Sequence, residues 1–423
     1  MRKKVSIILV SMMMAICMAA CGSSDDSSAS KDLMNMETVN AAPAGPGAGG
    51  PQGMESYTGE VVIEESMDEE ETYTERDHEQ EADLSDSESF TLSDGEDITI
   101  TAEGVYVISG SAKNVTIYVE AGDEDKVQIV LDGATIINES MPCIYVKSAD
   151  KVFVTTTDSE NDLEVTGTFT EDGDTKLDAV IFSKDDLVLN GEGTLDIVST
   201  DNGVACKDTL KITGGTVNVS CTDAAFEAND AIEIADGVIT VTACNDGLHA
   251  ENDEDDSVGY IFISGGKIDI IAADDAIHAT TMVQIDDGEI TLTGAECIEG
   301  TYIQVNGGNI VIEASDDGIN ASQKSSAYTP TFEMNGGTVK ITMGAGDTDG
   351  VDSNGHIIIN DGTIDISGQS TFDYDGTAEY NGGTIIENGE ETNTITNQFA
   401  GGMGGGNFGG GNFNGGFGGD GPH

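Results

Sequence analysis

The sequence predicts an all-β protein whose chain winds as a parallel β-helix, with three short strands in each coil of about 22 residues. The first observation is a repeated Gly-Gly or Asp-Gly turn, followed each time by alternating β-branched residues. The second is composition, because 55 Gly and no Trp favour many short strands between tight turns over an ordinary mixed core. The turns recur every 20 to 29 residues, at Gly214-Gly215, Asp236-Gly237, Gly265-Gly266, Asp287-Gly288, Gly307-Gly308, Gly336-Gly337, Asp361-Gly362 and Gly382-Gly383.

Each repeat contains segments for three strands, as one copy illustrates. "GGTVNVS" from Gly214, "AAFEA" from Ala224 and "AIEI" from Ala231 each alternate apolar and polar side chains. A unit this small cannot bury its apolar side alone, so it must stack on its neighbours. We therefore expect Val, Ile and Leu to fill the interior as stacked columns, with the turns at the corners.

Residues 1–21 are interpreted as a lipoprotein signal peptide. Three basic residues precede an apolar run from Val5 to Ala20, which is too short for a comfortable membrane span. The run ends in "MAAC", which resembles a bacterial lipoprotein processing site with Cys21 as the lipidated first residue. A plain signal peptide cleaved nearby is the alternative. Both interpretations place the mature protein outside the cytoplasm, and the first attaches it to the cell surface through its lipid alone.

The rest of the chain divides by composition. Residues 22–89 are rich in Ser, Asp, Glu, Gly and Pro, which predicts a disordered acidic tether. Residues 90–387 hold the predicted β-helix, and the weaker repeat up to about Gly173 is expected to cap the solenoid or to form its irregular first coils. Residues 388–423 are rich in Gly, Asn and Phe and are expected to form a flexible tail.

The charge of the chain excludes one class of partner. Its 79 acidic and 16 basic residues give a formal net charge of -63, whereas nucleic-acid phosphates are bound by clustered Lys and Arg. A chain this acidic repels itself unless cations neutralise it. Cations are therefore expected partners.

Alignment of the repeats places acidic turn residues in register from coil to coil. Adjacent strands lie about 4.8 Å apart, so two carboxylates in one column repel by about 1 kcal/mol even in water. Ca²⁺ would relieve this repulsion, because it takes about six to eight oxygen ligands at about 2.4 Å. Alternatively, Asp and Asn side chains satisfy turn backbones without any metal. The predicted calcium ligands are Asp201, Asp223, Asn245, Asp246, Asp274, Asp275, Glu296, Asp316, Asp317 and Asp349.

A second polar column lies three residues further along each repeat. Within it, His249 and His278 are one coil apart and are candidates for sugar contact, or for an exposed stacking or hydrogen-bonding role. Two His residues alone are a weak indication of a transition-metal site. The column reads Ala205, Glu227, His249, His278, Glu299, Asn320 and Asp352.

Several phrases resemble a known bacterial family, the calcium-associated carbohydrate-binding β-helices, which are similar in fold to family 9 pectate lyases. They include "GVYVISG", "KVQIVLDGATI", "IYVKSADKV", "IFSKDDLVLNGEGTLDI", "CKDTLKITGGTVNV" and repeated "GGxIxI...DDGI", between about Phe90 and Glu387. The resemblance implies a right-handed helix, Ca²⁺ held by turn acids, and binding of cellulose or acidic plant polysaccharides such as polygalacturonate. Relatives often have Lys in their later turns, where this chain has Phe226 with Glu227, Leu248 with His249, or Ile277 with His278.

Three functions therefore stay open, and a non-catalytic polysaccharide-binding protein is the first. The second is a pectate-type lyase, in which Ca²⁺ acidifies the proton beside a uronate carboxylate and a basic residue removes it. Lys184 and Lys207 occupy equivalent places in successive coils, so they are the candidate bases and, without catalysis, candidate sugar contacts. The third is an architectural surface adhesin. We expect a monomer in each case.

Five cysteines remain beyond the signal region, and buried free thiols are the expected state. Cys221 and Cys244 fall in adjacent columns that should face opposite ways, so a disulfide between them is not expected.

Overall fold

The computed structural model describes residues 66–252, 254–345 and 348–398, which contain one short helix and 34 strands. The predicted signal peptide, Cys21 and most of the predicted tether lie outside these ranges. Within them, no helix is long and apolar enough to cross a membrane.

The helix and the strands follow one another without any second helix in the described residues. The chain begins with α1 (Glu69–Thr72), β1 (Glu88–Thr91), β2 (Ile98–Ile100), β3 (Gly104–Lys113), β4 (Ile117–Glu120), β5 (Lys126–Asn138), β6 (Ile144–Ser148), β7 (Lys151–Thr156) and β8 (Glu160–Val165). The middle strands are β9 (Ala179–Ser183), β10 (Asp186–Gly191), β11 (Thr194–Val198), β12 (Asn202–Cys206), β13 (Thr209–Ser220), β14 (Ala224–Ala228), β15 (Ala231–Cys244), β16 (Asp246–Ala250), β17 (Tyr260–Ile263), β18 (Lys267–Ala272) and β19 (Ile277–Ala279). The last are β20 (Met282–Ile285), β21 (Glu289–Gly294), β22 (Ile298–Gly300), β23 (Tyr302–Val305), β24 (Asn309–Ala314), β25 (Ile319–Ala321), β26 (Thr331–Met334), β27 (Thr338–Met343), β28 (Asp349–Ser353), β29 (His356–Ile359), β30 (Thr363–Ser367), β31 (Ser370–Tyr374), β32 (Ala378–Tyr380), β33 (Thr384–Glu387) and β34 (Glu390–Thr392).

The strands form two sheets of stacked, parallel neighbours. Twelve short strands form one sheet, which we call the short-strand sheet. They are β2, β4, β6, β9, β12, β14, β16, β19, β22, β25, β28 and β31. The other 22 strands form the second sheet. Each strand of the short-strand sheet pairs in parallel with its counterpart one repeat away, as β14 does with β16 and β16 with β19. Among the described strands, the one antiparallel pair joins β33 to β34. The all-β class and the parallel pairing predicted from the sequence are therefore confirmed.

Inward side chains stack in columns that build the core. In the short-strand sheet, Phe226 pairs with Leu248, which in turn pairs with Ile277, and all three are fully buried. Burying a side chain of this size contributes about 1.5–3 kcal/mol. The same column continues through Ile298, Ile319, Val351 and Phe372.

The glycine of the repeated acidic turn is required by close packing. A Cβ atom at Gly247 would lie 2.3 Å from the carbonyl oxygen of Ala276 and 2.6 Å from the Ile270 side chain. A Cβ atom at Gly350 would similarly lie 2.4 Å from Ile366. The turn therefore keeps a small residue at the corner where the backbone enters the short-strand sheet.

The strand boundaries differ from the sequence prediction in one respect. The predicted strand "GGTVNVS" is the second part of a longer continuous strand, β13, which pairs with β10 in its first half and with β11 in its second half. A shift in register at the glycines lets the strand change direction without ending.

The predicted disordered tether is too long, because residues 66–84 pack against the 22-stranded sheet. We call these residues the strap. Tyr73 is buried with its ring 6.3 Å from that of Phe262, and Asp77 is fully buried beside Lys151. The acidic, low-hydropathy composition of this segment predicts disorder. The segment is ordered because it contacts side chains more than 70 residues away in the sequence.

The predicted tail also begins too early. Residues 390–392 form β34, which folds back on β33, and the Gln398 side chain donates to Thr371 Oγ1 at 3.0 Å. Residues 388–398 thus cover the last repeat, whereas residues 399–423 lie outside the described ranges.

The expectation of no disulfide is wrong, since Cys221 and Cys244 are bonded, with 4.8 Å between their Cα atoms. Ala243 has a left-handed backbone (φ 60°), and the register of β15 shifts there by one residue. This extra residue turns Cys244 inward, toward the same side as Cys221. In the described part of the chain, Cys143, Cys206 and Cys297 are free and buried, as expected.

Candidate functional site

The outer surface of the short-strand sheet carries the predicted polar columns, and its register is the one expected from the repeats. Glu227 pairs with His249, His249 with His278, and His278 with Glu299. We call this set the strand column. In full it reads Thr99, Tyr118, Tyr145, Phe182, Ala205, Glu227, His249, His278, Glu299, Asn320, Asp352 and Asp373.

A second set, the turn column, precedes the strand column by three residues. The sequence left open that Asp and Asn side chains satisfy turn backbones without any metal. Part of the turn column does so, because its side chains accept hydrogen bonds from backbone N–H groups of the next repeat. Asp246 Oδ1 accepts from the Asp275 backbone N–H at 3.1 Å, and Asp317 Oδ1 accepts from that of Asp349 at 3.0 Å. The column consists of Asn202, Ala224, Asp246, Asp275, Glu296, Asp317 and Asp349.

The residue before each turn-column position is more exposed. Asp223, Asp274 and Asp316 are exposed, whereas Asp201 and Asn245 are half-buried. Burial and the neighbouring carboxylates raise the pKa of Asp201. Asp178 occupies the same position one repeat earlier, and it was missed because the repeat is irregular there. It is buried, and its Oδ1 atom has no hydrogen-bond partner.

A groove of about 510 Å³ lies along the middle repeats of this surface. Carboxylates dominate its lining, so it is suited to cations and to ligands bridged by cations rather than to bare anions. It is lined by Asp223, Glu227, Asp246, His249, Glu251 and Glu254, among others.

The two histidines of the strand column stack on each other and contact carboxylates. Their rings are 4.6 Å apart and 6° from parallel. His249 Nδ1 is 3.2 Å from Asp246, and His278 Nδ1 is 2.8 Å from Asp275 and 2.9 Å from Glu299. They stack in register as the sequence suggests, but they are mostly buried instead of exposed.

These contacts shift the pKa values of the cluster. Burial lowers the pKa of His278, but hydrogen bonds with Asp275 and Glu299 outweigh it and raise the value to about 9. Burial raises the pKa of Glu299, yet His278 and Lys324 outweigh it and lower the value to about 2. In the middle of the surface, the positive charges of His278 and Lys324 therefore neutralise neighbouring carboxylates.

The last repeats carry carboxylates without such partners. Burial, followed by the charges of Asp317 and Asp373, raises the pKa of Asp352 to about 7. Burial raises the pKa of Asp317 to about 6; the hydrogen bond from the Asp349 backbone N–H opposes this shift, and the Asp349 charge adds to it. We call Asp317, Asp349, Asp352 and Asp373 the terminal acidic cluster. None of the ion pairs among the described residues includes any of these four.

Glu296 lies between these two regions. Burial raises its pKa to about 7, and the Asn320 side-chain amide donates to it at 2.8 Å. The other polar atom of that amide, Asn320 Oδ1, is buried without a hydrogen-bond partner.

Lysines and aromatic rings lie at the opposite end of the surface. Lys184 and Lys207 are in register, as predicted, because the Lys207 backbone N–H donates to Ser183 and that of Lys184 to Val146. Lys207 Nζ is 2.7 Å from Glu227, and Lys184 Nζ donates to Thr175. Lys147 continues the row and was missed, although "IYVKS" resembles "IFSKD" in spacing.

The aromatic side chains of the strand column adjoin this row. Tyr118 and Tyr145 are 5.9 Å apart, and Tyr145 and Phe182 are 5.7 Å apart. Tyr145 and Phe182 are buried beside Leu177, whereas Tyr118 stays partly exposed with Lys147 Nζ 4.7 Å from its ring. The surface therefore has a basic, aromatic end and an acidic end.

Comparisons with known proteins assign this chain to a family. The model of a family described as "carbohydrate-binding domain-containing protein" matches residues 94–345 and 295–399. A protein of that description from Acetivibrio thermocellus is 36% identical over 123 residues, which cover 28% of this chain and 43% of the relative. The match therefore spans less than half of that relative.

One solved structure is also similar. It is described as a polysaccharide lyase-like protein from C. thermocellum, in a gadolinium derivative. It is 32% identical, with a TM-score of 0.45, and the match covers 54% of this chain and 94% of the other. The family model, which matches well over half of the sequence, shows that the chain belongs to the carbohydrate-binding domain-containing proteins.

Proposed function

We propose that the protein binds acidic plant-type polysaccharides, such as polygalacturonate, through Ca²⁺ held at the acidic end of the short-strand sheet, without catalysis. Membership of a carbohydrate-binding family supports the general class. The observation that carries the specific proposal is the terminal acidic cluster, in which burial and neighbouring carboxylates raise the pKa values of Asp317 and Asp352.

The donors at this end fit a hard cation. Four carboxylates and the unpartnered Asn320 Oδ1 supply only oxygen ligands, which Ca²⁺ prefers. Asp317, Asp349, Asp352 and Asp373 would hold the ion, and Asn320 would complete its protein ligands. When bound, Ca²⁺ would neutralise these carboxylates and offer its open positions to oxygens of the polymer. In this proposal Asp246 and Asp275 mainly serve their histidines, and the other predicted turn ligands serve as weaker sites.

The basic end supplies a second kind of contact. Lys147, Lys184 and Lys207 form a row beside the partly exposed Tyr118 ring. A uronate carboxylate can pair with a lysine, while the apolar side of a sugar ring packs on an aromatic face. His249 and His278 would contact sugar hydroxyls between the two ends. Cellulose, which is neutral, stays a secondary ligand because the chain contains no Trp.

We extend the proposal to the winding and location of the chain. Strand partners near 22 residues apart, such as Glu227 with His249, support a right-handed parallel β-helix. The sequence "MAAC" supports a lipid anchor at Cys21, with a monomeric protein on the bacterial surface. A purely architectural adhesin is the remaining non-catalytic alternative.

A pectate-type lyase is the second candidate function. The register of Lys184 and Lys207 on a surface that also carries acids favours it. Against it, Lys207 Nζ is held by Glu227 at 2.7 Å, which opposes a role as a free base.

Retention of the mature protein on immobilised polygalacturonate tests the proposal. We expect retention with Ca²⁺, loss of retention with a chelator, and no unsaturated uronide product. Asp352→Asn should weaken retention by about 10-fold, which corresponds to about 1.4 kcal/mol. Asp269→Asn, an exposed change on the other sheet, is the matched control.

Other results would change the assignment. Steady formation of unsaturated product would convert the answer to a lyase. Calcium-independent retention on cellulose alone would keep a carbohydrate-binding protein but reject the calcium mechanism.

A further inference from the structure

The middle of the strand column contains a compact set of nitrogen and oxygen donors, which we call the histidine cluster. His278 Nδ1 lies 2.8 Å from Asp275 Oδ2 and 2.9 Å from Glu299 Oε2. The three donor atoms are all within 4.8 Å of one another. One ring nitrogen carries at most one hydrogen, so a single hydrogen faces two carboxylates.

We propose that the histidine cluster is a binding site for a first-row divalent transition ion of the Zn²⁺ class, which takes the place of that shared hydrogen. Zn²⁺ binds imidazole nitrogen and carboxylate oxygen at about 2.0–2.2 Å. Ca²⁺, in contrast, takes oxygen ligands. The site is therefore chemically separate from the terminal acidic cluster.

Neighbouring side chains fix the donors in place. Lys324 Nζ and Ser322 Oγ both hold Glu299 Oε1, at 2.8 and 3.0 Å, which leaves Oε2 directed at His278. The His249 ring stacks on the His278 ring and limits its rotation. Such outer contacts orient metal ligands and are part of what sets affinity.

Burial favours an ion here over a loosely solvated charge pair. The His278, Asp275 and Glu299 side chains are 12%, 13% and 8% exposed. With three protein donors, a four-coordinate ion keeps one open position, as open zinc sites do. That position would be available to water or to an oxygen of a bound sugar.

His249 provides an internal comparison. Its Nδ1 faces one carboxylate, Asp246, at 3.2 Å, and the next place in the strand column is taken by His278 instead of a carboxylate. Its Nε2 contacts Glu251 at 3.2 Å on the exposed side. His249 therefore lacks the two-carboxylate arrangement, although it lies in the same column.

Titration calorimetry with ZnCl₂ on the mature protein in calcium-saturated buffer tests the site. We expect saturable Zn²⁺ binding that His278→Asn weakens by more than about 10-fold, since even outer-contact changes cost about 10–100-fold. His249→Asn should weaken binding less than His278→Asn does, because it removes an orienting contact but no proposed ligand. Calcium titration of the His278→Asn variant should give the wild-type heat and rise in melting temperature, because His278 is not a ligand of the terminal acidic cluster. Failure of the two proposals is therefore distinguishable.

Two outcomes would overturn the site. One is the absence of Zn²⁺ binding by the wild-type protein, and the other is equal binding by wild type and a folded His278→Asn variant. Either result would leave the cluster as a protonated imidazole between two carboxylates. The melting curve without Zn²⁺ establishes that each variant is folded.

Discussion

Replacing Asp77 with Ala is expected to lower the free energy of unfolding by about 3 kcal/mol, because it leaves a buried cation without its nearest partner. Asp77 is fully buried, and its Oδ1 lies 3.3 Å from Lys151 Nζ. Burial acts to raise the pKa of Asp77, but hydrogen bonds from Thr74 and the charge of Lys151 outweigh it and lower the value. Asp186, 3.7 Å from Lys151, keeps the loss below the upper end of the range for buried pairs.

The substitution should also release the strap. The Asp77 side chain is the strap's ion pair with Lys151, and its loss leaves only the bonds from Asn190, at 3.3 Å, and from Thr213 to the Asp77 backbone carbonyl. Chemical denaturation measures the stability change, and limited proteolysis within residues 66–84 measures release. The exposed residue Glu75 supplies the control, since Glu75→Ala should change stability by less than about 0.5 kcal/mol. Equal effects of the two substitutions would show that the strap contributes little to stability.

The metal-free protein should become less stable as pH rises from about 5 to about 9, and the terminal acidic cluster accounts for the first part of this fall. The folded-state pKa of Asp352 is about 7, above its ordinary value of 3.8. Between these values the folded state keeps a proton that the unfolded state has lost, so stability decreases with rising pH. One pKa unit corresponds to about 1.4 kcal/mol, and screening at a partly exposed carboxylate reduces the total to about 2 kcal/mol.

His278 accounts for the second part. Its folded-state pKa is about 9, above the ordinary value of 6.5. Its contribution is complete below about pH 6.5 and is lost as pH rises toward 9. The two windows are therefore adjacent, and both reduce stability in the same direction.

Melting temperatures in chelator across this pH range measure the effect. The Asp352→Asn variant should flatten the curve below about pH 7, and the His278→Asn variant should flatten it above that value. If the wild type and the Asp352→Asn variant showed parallel curves, the terminal acidic cluster would not be electrostatically strained.

The register of the candidate site could be predicted from the sequence because the turn glycines fix it. Gly247 and Gly350 stand where a Cβ atom would collide with the next repeat, so the turn sequence is restricted at each corner. Once the corners are aligned, a side-chain period of two places Glu227, His249 and His278 on one face. This is why the predicted part of the strand column, from Ala205 to Asp352, was correct residue by residue.

Other features depend on contacts that local sequence does not encode. The order of the strap rests on Lys151, Lys211 and Phe262, which belong to repeats far along the chain. The Cys221–Cys244 bond depends on one extra residue, Ala243, in a left-handed conformation that a non-glycine residue seldom adopts.

The basic end of the surface was predicted only in part. The steps between strand-column partners there, from Tyr118 to Tyr145 and from Tyr145 to Phe182, are longer than most of the later ones and differ from each other. Lys147 and Tyr118 therefore did not align with Lys184 and Lys207. One sequence pattern does place Lys147 in the same row as Lys184. In both "YVK" and "FSK", a lysine follows an aromatic residue by two positions.

Calcium titration of the metal-free protein at about pH 8, followed by heat and by melting temperature, tests the central claim most directly. The stacked carboxylates of the terminal acidic cluster predict a saturable heat of binding and a rise in melting temperature. Both should disappear in the Asp317→Asn/Asp352→Asn double variant. If the wild-type protein gave neither heat nor a change in melting temperature, the acidic columns would be structural alone and the calcium mechanism would be wrong.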